Sequence, residues 1–540
     1  MNRSIASKGE SMGRALFVVC FLLATWHFFR VVTAPLLLIV QYLPDDAFYY
    51  LGISRNLGLL GKSSFDGGQT LTTGYHPLWA WACQFLGWTG GYQPMRMLRE
   101  MIVLSGVLSL GVAAVAGRLA WGKGTTTLPI IALLLTSFSF LNNSISAMEW
   151  CLVIVISAAT LWLMLGVPTR RVDLTLAGLA SLGVLGSLAR SDFGGQAAGY
   201  LAAAIFLWLL RRDRRYLLPS LALALGACFG LGLATWRDYN ISGEWLQSSA
   251  HMKQLWGKSW GTSPLPFFWV LLRTLVYLPS QHKSIVNDLA HSSRGHALVL
   301  FLLLAGLAAL AYIFWRFGPS ALRKARAGVS PCDLFLGVSG SLILLLYTAV
   351  YSLNSLAMQA WYSAEVTVAL GVLLSLLMAK ARQARMVTTA CATVSILAIA
   401  NMAIYTLSNP VYSNQKDYIS KAEGAKQAFG DASIGVADAG IFNFVYGGRI
   451  VNLDGLVNDE IVRYAPDRLP CYLADKHIQY ASGFGHSSTV AFKLEPLTNY
   501  STPVRVPLGA GEDAVFFHID PDRVRALPEC ARSRPGPVGP

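Results

Sequence analysis

Residues 15–50 read ALFVVCFLLATWHFFRVVTAPLLLIVQYLPDDAFYY. An apolar run ends abruptly on two adjacent carboxylates, Asp45 and Asp46, followed by the aromatic cluster Phe48-Tyr49-Tyr50. A membrane-spanning helix needs about 20 mostly apolar residues, and this run supplies them. Arg30 and Pro35 lie inside it, so it is expected to kink or to start late. It has no small-residue cleavage site, which makes it an anchor rather than a removed signal peptide. Further apolar runs follow at 97–119, 127–148, 150–167, 174–192, 194–210, 217–237, 297–315, 333–352, 361–379 and 387–407. Together they predict about eleven transmembrane helices. Of the 540 residues, 54% are hydrophobic and only 13% charged, against about 25% charged in soluble domains. That composition excludes a soluble enzyme, a disordered chain and a nucleic-acid binder. Continuous apolar runs, rather than alternating ten-residue segments, argue against a β-barrel.

The net charge of +14 is unevenly spread. From Lys416 onward there are 13 Lys/Arg and 15 Asp/Glu, so the excess belongs to the membrane part. Basic clusters fall at alternate ends of the runs: Arg118 with Lys123, Arg170 with Arg171, Arg211 to Arg215, Arg316 to Arg326, and Lys380 to Arg385. With Arg3, Lys8 and Arg14 these make 18 positive charges, facing only Glu10, Asp173, Asp213 and Asp333. Positive loops stay in the cytoplasm. The N-terminal residues 1–14 are therefore expected inside, and an odd number of spans carries the C-terminal segment outside. The stretch 264–280 is apolar but short and contains Arg273, so it is read as an interfacial or outer-loop helix. His76 to Gly90 is likewise too short to span.

The membrane part, 15–407, carries two long outer segments, 44–95 and 238–296. Residues 408–530 form a separate outer domain of α/β type. Helices are predicted at Asp417 to Phe429 and Pro466 to Asp475. Strands are predicted at Ile434 to Ala437, Arg449 to Leu453 and Ala514 to Ile519. The Pro/Gly-rich tail 531–540 is expected to be disordered. Cys471 and Cys530 are the only cysteines of the outer domain. An oxidising compartment permits them to pair, although spacing alone does not fix the geometry. No Cys/His spacing matches a zinc site.

The chemistry concentrates in the first outer segment. Beyond Asp45, Asp46, Tyr49 and Tyr50 come Arg55, then Thr73-Gly74-Tyr75-His76-Pro77-Leu78-Trp79. Carboxylates at the rim of an apolar bundle are costly unless they meet water, a cation or a proton donor. On position alone, Asp45 serves equally well as a helix cap. A carboxylate can also take a proton from a hydroxyl, a guanidinium pairs a phosphate, and aromatic rings cover sugar faces. The segment holds all three residue types.

Pro44-Asp45-Asp46-Ala47-Phe48-Tyr49-Tyr50, Arg55-Asn56 and Thr73 to Trp79 resemble the first outer loop of GT-C glycosyltransferases. These are polytopic enzymes that use lipid-phosphate-linked sugars. The likeness is to bacterial members with an Asp-Asp-Ala-Tyr-Tyr-Tyr loop and, more distantly, to family 39 protein O-mannosyltransferases and aminoarabinose transferases. Gly243 to Lys253 resembles a second outer loop of the family, with Gln247 where proline is usual. Met148-Glu149, Arg190-Ser191-Asp192 and Trp361-Tyr362 stand at outer helix ends, as in related members. Asn452-Leu453-Asp454-Gly455-Leu456-Val457-Asn458 is similar to an outer-domain signature of the same bacterial group.

The resemblance implies a fold and an activity: an all-α polytopic membrane protein of GT-C type that moves a sugar from a polyprenyl-phosphate donor to an acceptor hydroxyl, with inversion, on the outer face of the bacterial cytoplasmic membrane. The acceptor would be an envelope glycan, lipid or protein. A first-loop aspartate would be the base, Asp45 being favoured because it aligns with the first acid of the family's pair and Asp46 orienting the site or holding a cation. Arg55, His76, Arg190, His251 and Lys253 are the implied contacts to the donor phosphate. Tyr49, Tyr50, Tyr75, Trp79, Asp454 and Asn458 are the implied contacts to sugar or acceptor. Glu149 and Glu365 are read as structural partners or lining of the donor cavity. Some family members bind a divalent metal and others do not, and two carboxylates are too few ligands to argue for one. No other cofactor is expected.

The rival reading is a multipass transporter or flippase for a lipid-linked or polar envelope precursor. Transporters place their sites near the bilayer midplane, on broken helices in repeated halves. Here Glu149, Arg190, Asp192 and Glu365 gather at outer helix ends. The topology has a direct check: a membrane-impermeant thiol reagent applied to intact cells is expected to label a cysteine engineered beside Pro44 and to miss one placed among Arg211 to Arg215. The reverse pattern means the molecule is inserted upside down.

Overall fold

The computed structural model describes residues 2–121, 127–167, 171–259, 330–353, 362–379, 412–462, 468–482, 501–508 and 513–531, with isolated positions between them. The apolar run 297–315, most of 387–407, the stretch 264–280 and residues 532–540 lie outside the described residues.

Helix α1 (Asn2–Val32) stops short of Pro35, and a single turn, α2 (Leu36–Ile39), restarts behind it. Proline removes a donor and disfavours helical backbone in the residue before it, so the first apolar run breaks there. The chain then enters α3 (Asp45–Leu60), which ends on Gly61 at φ 65°. Helix α4 (Pro77–Gly90) has Pro77 in its first turn, where its missing N–H costs nothing. Trp81, Phe85 and Trp88 form an exposed stripe along α4, the composition favoured at a membrane interface. Ser54 on α3 donates to the carbonyl of Ala80 on α4 at 3.0 Å.

Helix α5 (Pro94–Trp121) spans, but the run 127–148, expected as one helix, does not. It divides into α6 (Thr127–Leu135) and α7 (Phe138–Asn143), followed by non-helical backbone to Glu149. The reason is local. Ser137 caps α7 by accepting the Phe140 N–H at 3.2 Å, and Ser144 and Ser146 bond back to carbonyls three residues earlier. Such side chains offer the backbone an alternative to continuing the helix. The bundle continues with α8 (Trp150–Gly166), α9 (Val172–Ala189), α10 (Phe193–Arg211), α11 (Leu217–Ser242), the outer α12 (Ser248–Ser259), α13 (Pro331–Leu353) and α14 (Ala364–Ala379). Among the described residues, six helices are long and apolar enough to cross a membrane, with shorter apolar helices at Trp150–Gly166 and Ala364–Leu376.

Helices α9 and α11 meet backbone to backbone. A Cβ on Gly183 would stand 2.3 Å from the Leu223 carbonyl oxygen, and one on Gly226 would stand 2.1 Å from that of Ala180. Small residues permit such an approach, which gains van der Waals contact where lipid offers no hydrophobic driving force.

The outer domain opens with α15 (Gln415–Phe429) and then alternates β1 (Ile434–Val436), α16 (Gly440–Tyr446) and β2 (Ile450–Asn452). Short helices α17 (Asp459–Val462) and α18 (Leu469–Asp475) precede β3 (Tyr480–Ser482), β4 (Ser501–Pro507) and β5 (Asp513–Ile519). The sheet order is β2-β1-β3-β5-β4. The pairs β1–β2 and β1–β3 are parallel, and β3–β5 and β4–β5 antiparallel. Strand β4 contains Pro503 and Pro507, which confine it to a sheet edge. Phe429 stacks on Tyr480 at 4.0 Å, and Phe516 closes the core edge-on to Phe429. Cys471 and Cys530 are joined by a disulfide, with Cα atoms 5.4 Å apart.

The chain is thus an all-α polytopic membrane bundle with a small C-terminal α/β domain. Replacing Gly226 by leucine is expected to force α9 and α11 apart at a cost of about 3 kcal/mol. The check is the midpoint of thermal unfolding in detergent, which should fall well below that of a control Gly232→Leu, since a Cβ on Gly232 meets nothing within 4 Å.

Candidate active site

The two carboxylates of the first outer segment have different surroundings. Asp45 opens α3 but caps another helix. Its Oδ2 accepts the Gly440 N–H at 2.8 Å and its Oδ1 the Ile441 N–H at 2.7 Å, both at the start of α16. The first turn of a helix has amides with no internal partner, and a carboxylate is their natural acceptor. Burial lifts Asp45 from 3.8 to about 7 against the pull of these two amides, with Asp46 and Asp454 adding to the rise. Asp46 has no such partner, and no hydrogen bond to it is found among the described residues. Burial raises its pKa as well, and the Lys253 ammonium opposes the rise.

Lys253 comes from α12. Its Nζ donates to the Tyr362 hydroxyl at 2.6 Å and lies 5.2 Å from the centre of that ring. Burial works against its charge, but Tyr362, Asp46 and Glu149 around it hold its pKa above the ordinary value. Arg190 packs over the same ring at 4.6 Å. Arg190 is itself 2% exposed. Its Nε donates to Asp192 Oδ1 at 2.9 Å, its Nη2 bonds Asp192 Oδ2, and Nη2 also reaches the Tyr351 hydroxyl at 3.1 Å. Tyr351 in turn donates to Asp192 Oδ2 at 2.6 Å. The guanidinium is therefore largely neutralised in place.

Glu149, at the start of α8, stands between two of the expected phosphate contacts. Its Oε1 is 3.7 Å from Arg190 Nη1 and 3.8 Å from His76 Nε2. Its Oε2 is buried. His76 caps the start of α4, and its N–H donates to the Tyr50 hydroxyl at 3.2 Å. Burial, with the Arg190 charge adding to it, outweighs the pull of Asp192 toward a charged imidazole, and His76 falls from 6.5 to about 3. His76 is thus a neutral hydrogen-bonding group rather than a second cation.

Of the residues singled out in the sequence, the structure brings Asp46, His76, Arg190 and Lys253 into one electrostatic cluster. Two others stand apart. Arg55 lies ten residues along α3, about 15 Å from its start, and is exposed. His251 is two residues from Lys253 on α12, which turns it to the opposite side of the helix. Tyr49, Tyr50, Tyr75 and Trp79, expected to face sugar, are all buried. Trp79 Nε1 donates to the Ala147 carbonyl at 3.0 Å, and Tyr75 packs under Arg237 at 4.3 Å. Tyr49 donates to Asp454 Oδ2 at 2.9 Å while accepting from the Ala439 N–H and Asn452 Nδ2. Asp454 also accepts the Leu456 and Asp438 N–H groups, at 2.8 and 3.1 Å. Asn458 bonds the Asn452 carbonyl, the Tyr472 hydroxyl and the Ile461 N–H. The hydrogen bonds of Asp454 and Asn458 shape a turn of the C-terminal domain.

Asp192 and Tyr362, quoted in the sequence as parts of helix-end motifs but given no site role, also belong to the cluster, as does Tyr351, which was not singled out. The only sequence signal for them is their place at outer helix ends. Among the described residues, no group of three or more His, Cys, Asp or Glu side chains is arranged to hold a metal ion.

The overall arrangement is similar to that of a solved membrane protein. The crystal structure of ArnT from Cupriavidus metallidurans bound to undecaprenyl phosphate aligns with a TM-score of 0.55 at 14% identity, over 93% of this chain and 97% of that one. The apo state of the same protein aligns with a TM-score of 0.54 at 13% identity, over 94% and 98%. No family model and no curated protein matches the sequence. At this identity the likeness establishes the fold, which is the GT-C architecture of a multi-pass membrane protein.

The neutral state of His76 has a thermodynamic signature. The folded protein keeps it unprotonated down to about 3, whereas its ordinary value is 6.5. The unfolded chain therefore binds the extra proton, and the contribution of His76 to stability is present above 6.5 and lost as pH falls toward 3. Thermal unfolding across that range is expected to show a shallower acid slope for His76→Gln than for the wild type. Equal slopes would contradict the assignment.

Proposed function

We propose that this chain is a membrane glycosyltransferase that moves a sugar from a polyprenyl-phosphate donor to an acceptor hydroxyl, with Asp46 as the general base. The observation that carries this reading is a buried ammonium, Lys253 held by the Tyr362 hydroxyl, whose charge is felt by Asp46, inside a fold shared with ArnT, which was crystallised bound to undecaprenyl phosphate. Among the described residues no hydrogen bond occupies the Asp46 carboxylate, which leaves it open to a hydroxyl. Asp45, the first acid of the pair, is occupied by two backbone amides and is read as a structural anchor.

In this reading the acceptor hydroxyl gives its proton to Asp46 as its oxygen attacks the anomeric carbon. The bond from that carbon to the phosphate oxygen breaks, its electron pair leaves with polyprenyl phosphate, and the sugar inverts. A leaving phosphate needs fixed positive charge and hydrogen-bond donors. Lys253 supplies the charge, and the Tyr362 hydroxyl holds the ammonium in place. Arg190 arrives already paired with Asp192 and contributes as a fixed wall more than as a free cation. His76, neutral, contributes a hydrogen bond. The site belongs on the outer face of the cytoplasmic membrane, with the N-terminus inside and the α/β domain outside, in keeping with the basic inner loops.

Asp46→Asn is expected to lower turnover by about 10²- to 10⁴-fold, the usual contribution of a positioned base, with donor affinity little changed. Asp45→Asn should retain substantially more activity. The readout is mass spectrometry of envelope glycolipids and glycoproteins from cells carrying each variant, where loss of a sugar-sized mass identifies donor and acceptor. An unaltered envelope in the Asp46→Asn strain would overturn the proposal. Rescue of that strain by substrate supplied from outside would favour a transporter instead.

A further inference from the structure

The three residues at the centre of the proposed site come from three elements, α3, the residue before α4, and α12, and each lies within a few positions of a tie to the outer domain. Asp46 adjoins Asp45, which caps α16. His76 lies three residues after Thr73, and Lys253 five residues after Ser248. Thr73 and Ser248 share one anchor. Asp459 Oδ1 accepts the Thr73 N–H at 2.8 Å, and Asp459 Oδ2 accepts the Thr73 hydroxyl at 2.6 Å. The Thr73 Oγ1 then accepts the Ser248 N–H at 3.1 Å, and the Ser248 hydroxyl donates to the Leu456 carbonyl at 3.1 Å. There is no slack at this junction, since a Cβ on Gly74 would stand 1.7 Å from the Leu456 oxygen. Asp459 and Ser248 are themselves buried.

Buried hydrogen bonds to a charged acceptor are strong, and costly to leave half-made. One carboxylate of the outer domain therefore fixes two loops that approach the membrane surface from different helices. We propose that Asp459 is a positioning residue: through Thr73 it holds the His76 loop and the Lys253 helix in register, so that the outer domain sets the spacing of the donor-phosphate site. The proposal deepens the glycosyltransferase reading and rests on it for its kinetic consequence. It assigns the outer domain a role in framing the membrane-side site, separate from any acceptor binding.

The test uses full-length protein in lipid nanodiscs. Thr73→Val keeps side-chain volume and the backbone bond to Asp459 but removes the hydroxyl, and Thr73→Ser restores it. Amide hydrogen exchange over 248–253 is expected to speed up in Thr73→Val, although that segment is unmutated, and to return toward wild type in Thr73→Ser. With polyprenyl-phosphate sugar as donor, kcat/KM should fall at least tenfold in Thr73→Val, mainly through KM for the donor, and recover in Thr73→Ser. Asp459→Ala should act in the same direction more strongly. Unchanged exchange over 248–253 in both Thr73→Val and Asp459→Ala would overturn the proposal, as would equal kinetic losses in the valine and serine variants. Should the wild type itself turn over no such donor, the glycosyltransferase reading fails, and the exchange measurement still decides whether Asp459 frames the two loops.

Discussion

A carboxylate removed from water must find hydrogen-bond donors, and in this protein several of them find those donors across the boundary between bundle and outer domain. Asp45 takes the first two amides of α16. Asp454 takes the hydroxyl of Tyr49, and Asp459 takes both polar groups of Thr73. Each contact joins residues nearly four hundred positions apart. Apolar packing supports the same boundary, with Phe48 edge-on to Phe444 at 5.4 Å. Packing alone tolerates sliding, whereas paired carboxylate bonds specify one geometry. The outer domain is seated on the bundle by this small set of directional contacts.

That seating divides the labour of the two adjacent acids. Successive residues at a helix start point about 100° apart, so Asp45 and Asp46 cannot do the same thing. Asp45 is bonded to the first amides of α16, whereas the Lys253 charge opposes the rise in the Asp46 pKa. The position that a family pattern would favour as base is the one whose oxygens are occupied. Its cap role is real in kind, but the helix it caps belongs to the outer domain. A similar economy governs the cations. Arg190 is bonded to Asp192 and Tyr351, and His76 is neutral, which leaves Lys253, held by the Tyr362 hydroxyl, as the cation of this cluster whose charge acts on Asp46.

The likeness to ArnT spans almost the whole of both chains at 14% identity. Such a fold survives on helix length, apolar faces and close-packed glycines such as Gly183 and Gly226, none of which requires particular neighbours in sequence. Chemistry is more demanding, since it depends on a few side chains held to within fractions of an ångström.

Much was legible in the sequence. Apolar runs of spanning length, basic clusters at alternating ends and a polar C-terminal quarter determined a multi-pass bundle with an α/β domain, because hydrocarbon and water sort residues by type regardless of detail. The strands at Ile434 and Ile450 and the helix ending at Phe429 follow from local pattern. Local pattern failed where side chains competed with the backbone, as at Ser137, or where prolines concealed an edge strand, as at Pro503. Residue chemistry nominated Asp46, His76, Arg190 and Lys253 but gave equal standing to Arg55, His251 and the four buried aromatic residues. Only the tertiary structure decided which of these meet, since the partners of Asp45, Tyr49 and Thr73 lie in a different domain, and no sequence spacing records a hydrogen bond that closes a loop of almost four hundred residues.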